Sequence, residues 1–252
     1  MMKPIFGKSN YFFNKTKIIM CFSASTSFIA SAVLGGVGTV ALKKAKSPSM
    51  KIFALTPLLF AIQQFTEGVI WVALSNPEGE FASMWLSKAV YIFLIFAWVI
   101  WPIFIPFFTI KLEQNKERKK ILKGLLVLGV GVTSILIYIL VNYNITAQVN
   151  DYHIKYDRDF QSEWVWVFGL FYVASTVFPT MISSVKKMWS LGVINLGSYI
   201  FAKIFFAGYV ISIWCFFGAL SSIIVLAIIF EAQKKPMEQL GNNNFSESIG
   251  KT

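Results

Sequence analysis

Seven stretches of mainly apolar residues, each near the 20 that a helix needs to cross a bilayer, alternate with short polar intervals along this chain. They are Ser25–Leu42, Ile52–Leu74, Trp85–Ile110, Leu122–Asn142, Trp164–Ser184, Met188–Phe205 and Gly208–Glu231. The last two almost touch. Read as one, they would be about twice as long as a bilayer holds at a 1.5 Å rise per residue, so a turn is placed at "FFAGYV", around Gly208. The pattern predicts an all-α, polytopic membrane protein of seven transmembrane helices. The longest interval, residues 143–163, is long enough to be functional or partly structured.

Composition agrees. Of 252 residues, 56% are hydrophobic and only 14% charged, against about 25% charged in an ordinary soluble domain. The net charge of +11 would suit a nucleic-acid partner only if the basic residues gathered on one folded surface. They lie instead between the apolar runs, so no nucleic-acid role is expected and the lipid bilayer is the expected partner. Fifteen Lys and Arg follow runs one, three, five and seven: Lys43, Lys44, Lys46, Lys51, Lys111, Lys116, Arg118, Lys119, Lys120, Lys123, Lys186, Lys187, Lys234, Lys235 and Lys251. Beyond Met20 the opposite side holds four, Lys88, Lys155, Arg158 and Lys203. The positive-inside bias then puts the N-terminus out and the C-terminus in.

Residues 1–19 run against that bias with Lys3, Lys8, Lys15 and Lys17, and they lack the apolar core of a signal peptide. They are read as a non-native or disordered extension, residues 20–235 as the transmembrane domain and residues 236–252 as a disordered polar tail. Two cysteines and one histidine leave no metal centre for this chain to build alone, and no cofactor is expected.

The chemistry concentrates in the second run, at "AIQQFTEGVIW". At 100° per residue, Thr56, Gln63, Glu67 and Leu74 share one stripe, with Gln64 and Trp71 beside it. Leu58, Ala61, Phe65, Val69 and Val72 form an apolar face towards lipid. A carboxylate at mid-membrane costs about 2.5–3.5 kcal/mol on the insertion scale for an acid, so Glu67 should face the bundle interior. Two readings stand side by side. Gln63, Gln64 and Glu67 tie helices together, each contact contributing about 0.6–2 kcal/mol, or Glu67 marks a site for a small solute, ion or proton.

Lys203, Trp214 and Cys215 fall in the same half of the bundle as Glu67. Lys203 either pairs with Glu67 or snorkels to the interface. Together with Gln63, Gln64 and Trp71 these residues outline an outward-facing polar pocket for binding, sensing or transport. The alternative is an intramembrane enzyme. Cys21, N-terminal once Met20 is removed, would be the nucleophile, and His153, Glu67 or Tyr156 its base, acid or oxyanion donor. A buried inert Cys21, or a Cys21–Cys215 disulfide, explains the same residue without catalysis. A retinal-type Schiff base fails for want of a lysine within Gly208–Glu231. A purely structural role has no positive signature, and the sequence leaves oligomeric state open.

Two features read as architecture. "WVIWPIFIP" should bend the third run at Pro102 and Pro106 and free backbone carbonyls. "ASAVLGGVG" in the first should let another helix approach closely.

"MCFSA" at Met20–Ala24, "IQQFTEG" followed by Trp71, "WP" with Pro106 beyond it, and "WCFFGA" at Trp214–Ala219 resemble one bacterial family of seven-helix membrane proteins of unknown function. The resemblance covers Met20 to about Lys235. It implies a bacterial inner-membrane location and supplies no substrate, cofactor or catalytic residue.

Overall fold

The computed structural model describes residues 23–150, 153–159 and 165–233. In chain order the helices are α1 (Ala24–Lys44), α2 (Pro48–Ala54), α3 (Thr56–Ser75), α4 (Glu80–Leu94), α5 (Trp101–Leu112), α6 (Lys116–Asn142), α7 (Val165–Ile182), α8 (Met188–Phe205) and α9 (Val210–Leu220). After Ser221 the chain is helical again over residues 222–233. Where consecutive helices run on into one another they make longer stretches, and six are long and apolar enough to cross a membrane: Ala24–Lys44, Pro48–Ser75, Glu80–Leu112, Lys116–Asn142, Met188–Phe205 and Ala207–Gln233. The fifth apolar run is the exception, since its helix is shorter over the described residues. Ser183 and Ser184, expected within it, leave the helix, and Ser184 turns to bond Glu113.

Local chemistry sets the ends. Ser23 caps α1 by accepting from the Thr26 N–H, Ser47 caps α2 from Met50 with Pro48 behind it, and Asn115 caps α6 from Glu117 and Arg118. The turn expected at Gly208 is there, as a single 3₁₀ turn over Ala207–Tyr209. The proline effect is also there, in a specific form. Ile95–Ile100 is a π-helical segment joining α4 to α5 immediately before Pro102. In π spacing Pro102 would donate to the Ala97 carbonyl, but it has no N–H. Ala97 accepts the Tyr172 hydroxyl of α7 instead.

The expectation of a wholly helical chain needs one correction. Ile145–Asn150 and His153–Arg158 form two antiparallel strands, β1 and β2, paired from Ile145↔Arg158 to Asn150↔His153. Ile145, Ala147 and Ile154 are buried among Ile70, Val90, Phe93 and Leu94. The hairpin is therefore packed into one end of the bundle, against α3, α4 and α9. The opposite end carries the lysine-rich connections.

That lysine-rich end has its own polar clasp. Glu113, just past α5, is wholly buried. It accepts from the backbone N–H groups of Gln114 (3.0 Å), Asn115 (2.8 Å) and Ser184 (2.7 Å), and from the Ser184 hydroxyl at 2.5 Å. Arg118 adds a bond to the Ile182 carbonyl at 2.9 Å. Lys186 and Lys187 both reach Glu231 of the last helix, at 2.6 and 2.9 Å.

Small residues matter at fewer places than the sequence suggested. Among the glycines of the small run in α1 only Gly38 meets another helix: a Cβ there would lie 2.5 Å from Leu58, whereas Gly35 and Gly36 face nothing among the described residues. The counterpart in α3 is Gly68, against Phe28.

Candidate functional site

The α3 stripe is buried as a unit. Gln63 and Gln64 are fully inaccessible and Glu67 is 2% exposed, while Ile62, Phe65 and Val72 cover the outer face. Ala61, expected towards lipid, is buried instead, and its carbonyl accepts from Ser31 of α1 at 2.8 Å. A helix turn separates Gln64 from Glu67, so the Gln64 Nε2 reaches Glu67 Oε2 at 3.2 Å. The other carboxyl oxygen takes the hydroxyl of Ser212, from α9. Among the described residues Glu67 has no ion-pair partner. Gln63 turns the other way and accepts from the Trp101 indole at 2.8 Å.

Two atoms are poorly served. Gln64 Oε1 is buried with no hydrogen-bond partner among the described residues, and the buried Gln63 Nε2 has only the Cys215 thiol, a weak acceptor, beside it. A stranded amide group costs about 1–3 kcal/mol, so a polar helix stripe serving only as glue would be expected to satisfy them.

On the hairpin side, Tyr156 stacks on Phe93 with centroids 5.1 Å apart, and its buried hydroxyl also lacks a partner among the described residues. Burial, with nearby Glu67 adding to it, pushes the Tyr156 phenol well above its ordinary value. It therefore keeps its proton and can only donate or accept a hydrogen bond. The hairpin, which the helical reading omitted, fills its end of the bundle with Ile145, Ile154 and Tyr156.

Open space lies on the other side of the cluster. A cavity of about 620 Å³, counted to its mouth, runs between α3, α5, α7, α8 and the last helix towards the lysine-rich end. Trp101 and Cys215 line it where it meets the polar cluster, and Phe53 and Val225 line its far part. Trp101 both walls the cavity and holds Gln63, so the two features share a side chain.

The other sequence candidates divide. Trp214 lines the cavity and donates its indole N–H to the Asn195 carbonyl at 3.0 Å. Trp71 packs beside the hairpin-end core. Lys203 is exposed on α8 and makes no ion pair with Glu67 among the described residues. His153 stacks edgewise on Phe206 and tilts on Tyr209, each at 5.0 Å, within the hairpin contact. Cys215 carries a free thiol among the described residues. Cys21 lies outside the described residues. Among the described residues no group of three or more metal-ligating side chains assembles.

Sequence reasoning missed Ser212, Trp101 and Asn195 as members of the site. Asn195 carried a signal, being a lone amide inside an apolar run. Ser212 and Trp101 carried none that separates them from ordinary span residues.

Comparison with protein-family profiles matches residues 20–239 to a family of unknown function, DUF6629. The chain belongs to that family. The match begins at the methionine of the Met-Cys-Phe-Ser-Ala motif and takes in every described helix, the hairpin and the whole Glu67 cluster. No curated protein and no solved structure matches the chain. The family supplies no activity, so function is argued from the site itself.

Proposed function

We propose that this is a seven-span membrane protein, N-terminus out, that binds a small solute or ion within the bundle at the Gln63–Gln64–Glu67–Ser212 cluster and serves as a sensor or carrier. The orientation rests on the fifteen-to-four distribution of Lys and Arg beyond Met20. A bacterial plasma membrane is the compartment that fits it. The observation that carries the binding role is the unpartnered amide oxygen of Gln64, with Gln63 Nε2 held only by the weak Cys215 acceptor, beside a buried carboxyl that no cation neutralises among the described residues. Such a donor–acceptor–acid set suits a ligand that offers both a hydrogen-bond donor and an acceptor. A proton or cation would meet Glu67 alone.

The test is a thermal-shift screen of small metabolites and ions against wild-type protein and Glu67→Gln in the same membrane mimetic. The amide keeps the shape and one acceptor oxygen, so the unliganded variant is expected to melt near wild type. At least one compound is expected to stabilise wild type and to bind the variant at least tenfold more weakly, as befits loss of a hydrogen bond to a charged group worth about 1.5–3 kcal/mol. A variant that only melts lower, with every compound treating the two proteins alike, would make Glu67 a structural residue.

A further inference from the structure

The chamber beside the polar cluster has a chemistry of its own. Its walls include Phe60, Trp101, Phe108 and Trp214, with Phe60 and Trp101 stacked at 4.0 Å. None of its lining residues is charged. A charged ligand would thus sit in apolar surroundings without a counter-ion, at a prohibitive desolvation cost.

The polar groups in the wall are unequal. Thr176, Thr180 and Ser221 each give their hydroxyl proton to their own helix, at the carbonyls of Tyr172 (2.8 Å), Val177 (2.9 Å) and Gly218 (2.5 Å). They offer the chamber lone pairs only. Asn195 differs: its backbone carbonyl serves Trp214 and Ser198, but its carboxamide makes no hydrogen bond among the described residues. Gly218 keeps that amide uncovered. A Cβ there would lie 3.0 Å from the Phe60 ring and 3.7 Å from Asn195 Oδ1. The chamber has the usual make-up of small-molecule sites, apolar walls with a few placed polar groups.

We infer that the chamber holds an uncharged, ring-bearing lipophile with a carbonyl or hydroxyl oxygen. The rings lie between the aromatic walls and the oxygen meets the Asn195 carboxamide. This deepens the function proposed above and rests on it, because Trp101 and Cys215 put the polar cluster at the chamber's inner end.

Benzophenone, an uncharged two-ring ketone that inserts into nearby C–H bonds under near-ultraviolet light, is the probe. Full-length protein in lipid nanodiscs is irradiated over a concentration series and its adducts are mapped by peptide mass spectrometry. The expected result is a saturable set of adducts on chamber residues such as Ile105, Leu191 and Val225, above a linear background on the exposed apolar residues Ile62, Phe65 and Ile204. Asn195→Leu, similar in size, is expected to weaken the saturable set threefold to tenfold and leave the background unchanged. The para-carboxylate of benzophenone is expected to give no saturable set. Adducts confined to the exposed residues, or a saturable set indifferent to Asn195→Leu, would overturn the chamber. Saturable adducts lost in Asn195→Leu but undiminished in Glu67→Gln would support the chamber while detaching Glu67 from its ligand.

Discussion

Glu113→Ala is expected to lower stability by about 2–4 kcal/mol, because four donors lose the charged acceptor they share. The side chain is fully buried and gathers four donors, two of them from Ser184 across the bundle. Alanine leaves three backbone N–H groups and a hydroxyl without an acceptor at a helix–helix connection. Each hydrogen bond to a charged acceptor contributes about 1.5–3 kcal/mol, and part of that returns as water reaches the opened site. The pH dependence has a definite sign. Burial alone would raise the Glu113 carboxyl, but the bonds from Ser184, Asn115 and Gln114 outweigh it and hold the group below its ordinary value of 4.5. A depressed folded value means stability that is fully present above about 4.5 and fades as pH falls through the lower folded value. Denaturation of wild type and Glu113→Ala in micelles, followed from pH 7 to pH 3, checks both points. The gap between the two proteins should narrow towards the acid end. A gap constant with pH would mean that Glu113 acts by packing and not by charge.

Gly129→Ala is expected to destabilise by about 1–3 kcal/mol, although alanine is the better helix former by about 1 kcal/mol. A Cβ at this point of α6 would stand 2.1 Å from the Pro102 carbonyl oxygen, a backbone atom that no rotamer change can move. The contact exists because of the proline pair. Pro106 has no N–H to give the Pro102 carbonyl, which leaves room for α6 to approach it with a bare Cα. Gly131→Ala, on the same helix with nothing near it among the described residues, is the matched control and should be neutral or slightly stabilising. Thermal or detergent-induced unfolding of the three proteins gives the answer. Equal behaviour of the two alanine variants would refute the close approach of α6 to α5.

Both residues show where reading the chain succeeded and where it could not. Pro102 and Pro106 announced a disturbed helix, because a missing N–H is a covalent fact. That the disturbance would take π form, send the Ala97 carbonyl to Tyr172 and seat Gly129 on Pro102 depends on helices distant in sequence. Glu113 looked like one more charge in a polar connection, "LEQNKERKK", and nothing local distinguishes it from Glu117, which only pairs with Lys120 on the surface. The hairpin had a visible signal. Ile145, Ala147 and Val149 alternate with Thr146, Gln148 and Asn150, which is the period of a strand. Length was read there and period was not. Alternation alone would still have misplaced Val149, which is exposed at 42% while its two companions are buried.

The sequence by itself determined the helical runs, the turn near Gly208, the uneven distribution of positive charge and the burial of the Gln63–Gln64–Glu67 stripe. Each follows from short-range rules: backbone groups in an apolar medium must bond within the helix, and a polar stripe must turn from lipid. Tertiary structure alone decided what that stripe meets. It placed Ser212 on Glu67 and Trp101 on Gln63, sent Lys203 to the surface, closed the hairpin end and left the open space on the lysine-rich side. The physical reason is that helical periodicity fixes the direction a side chain points within its own helix but not the rotation and depth of the neighbouring helix. Those are set by packing over the whole bundle, at contacts such as Gly38 on Leu58, Gly68 on Phe28 and Gly129 on Pro102.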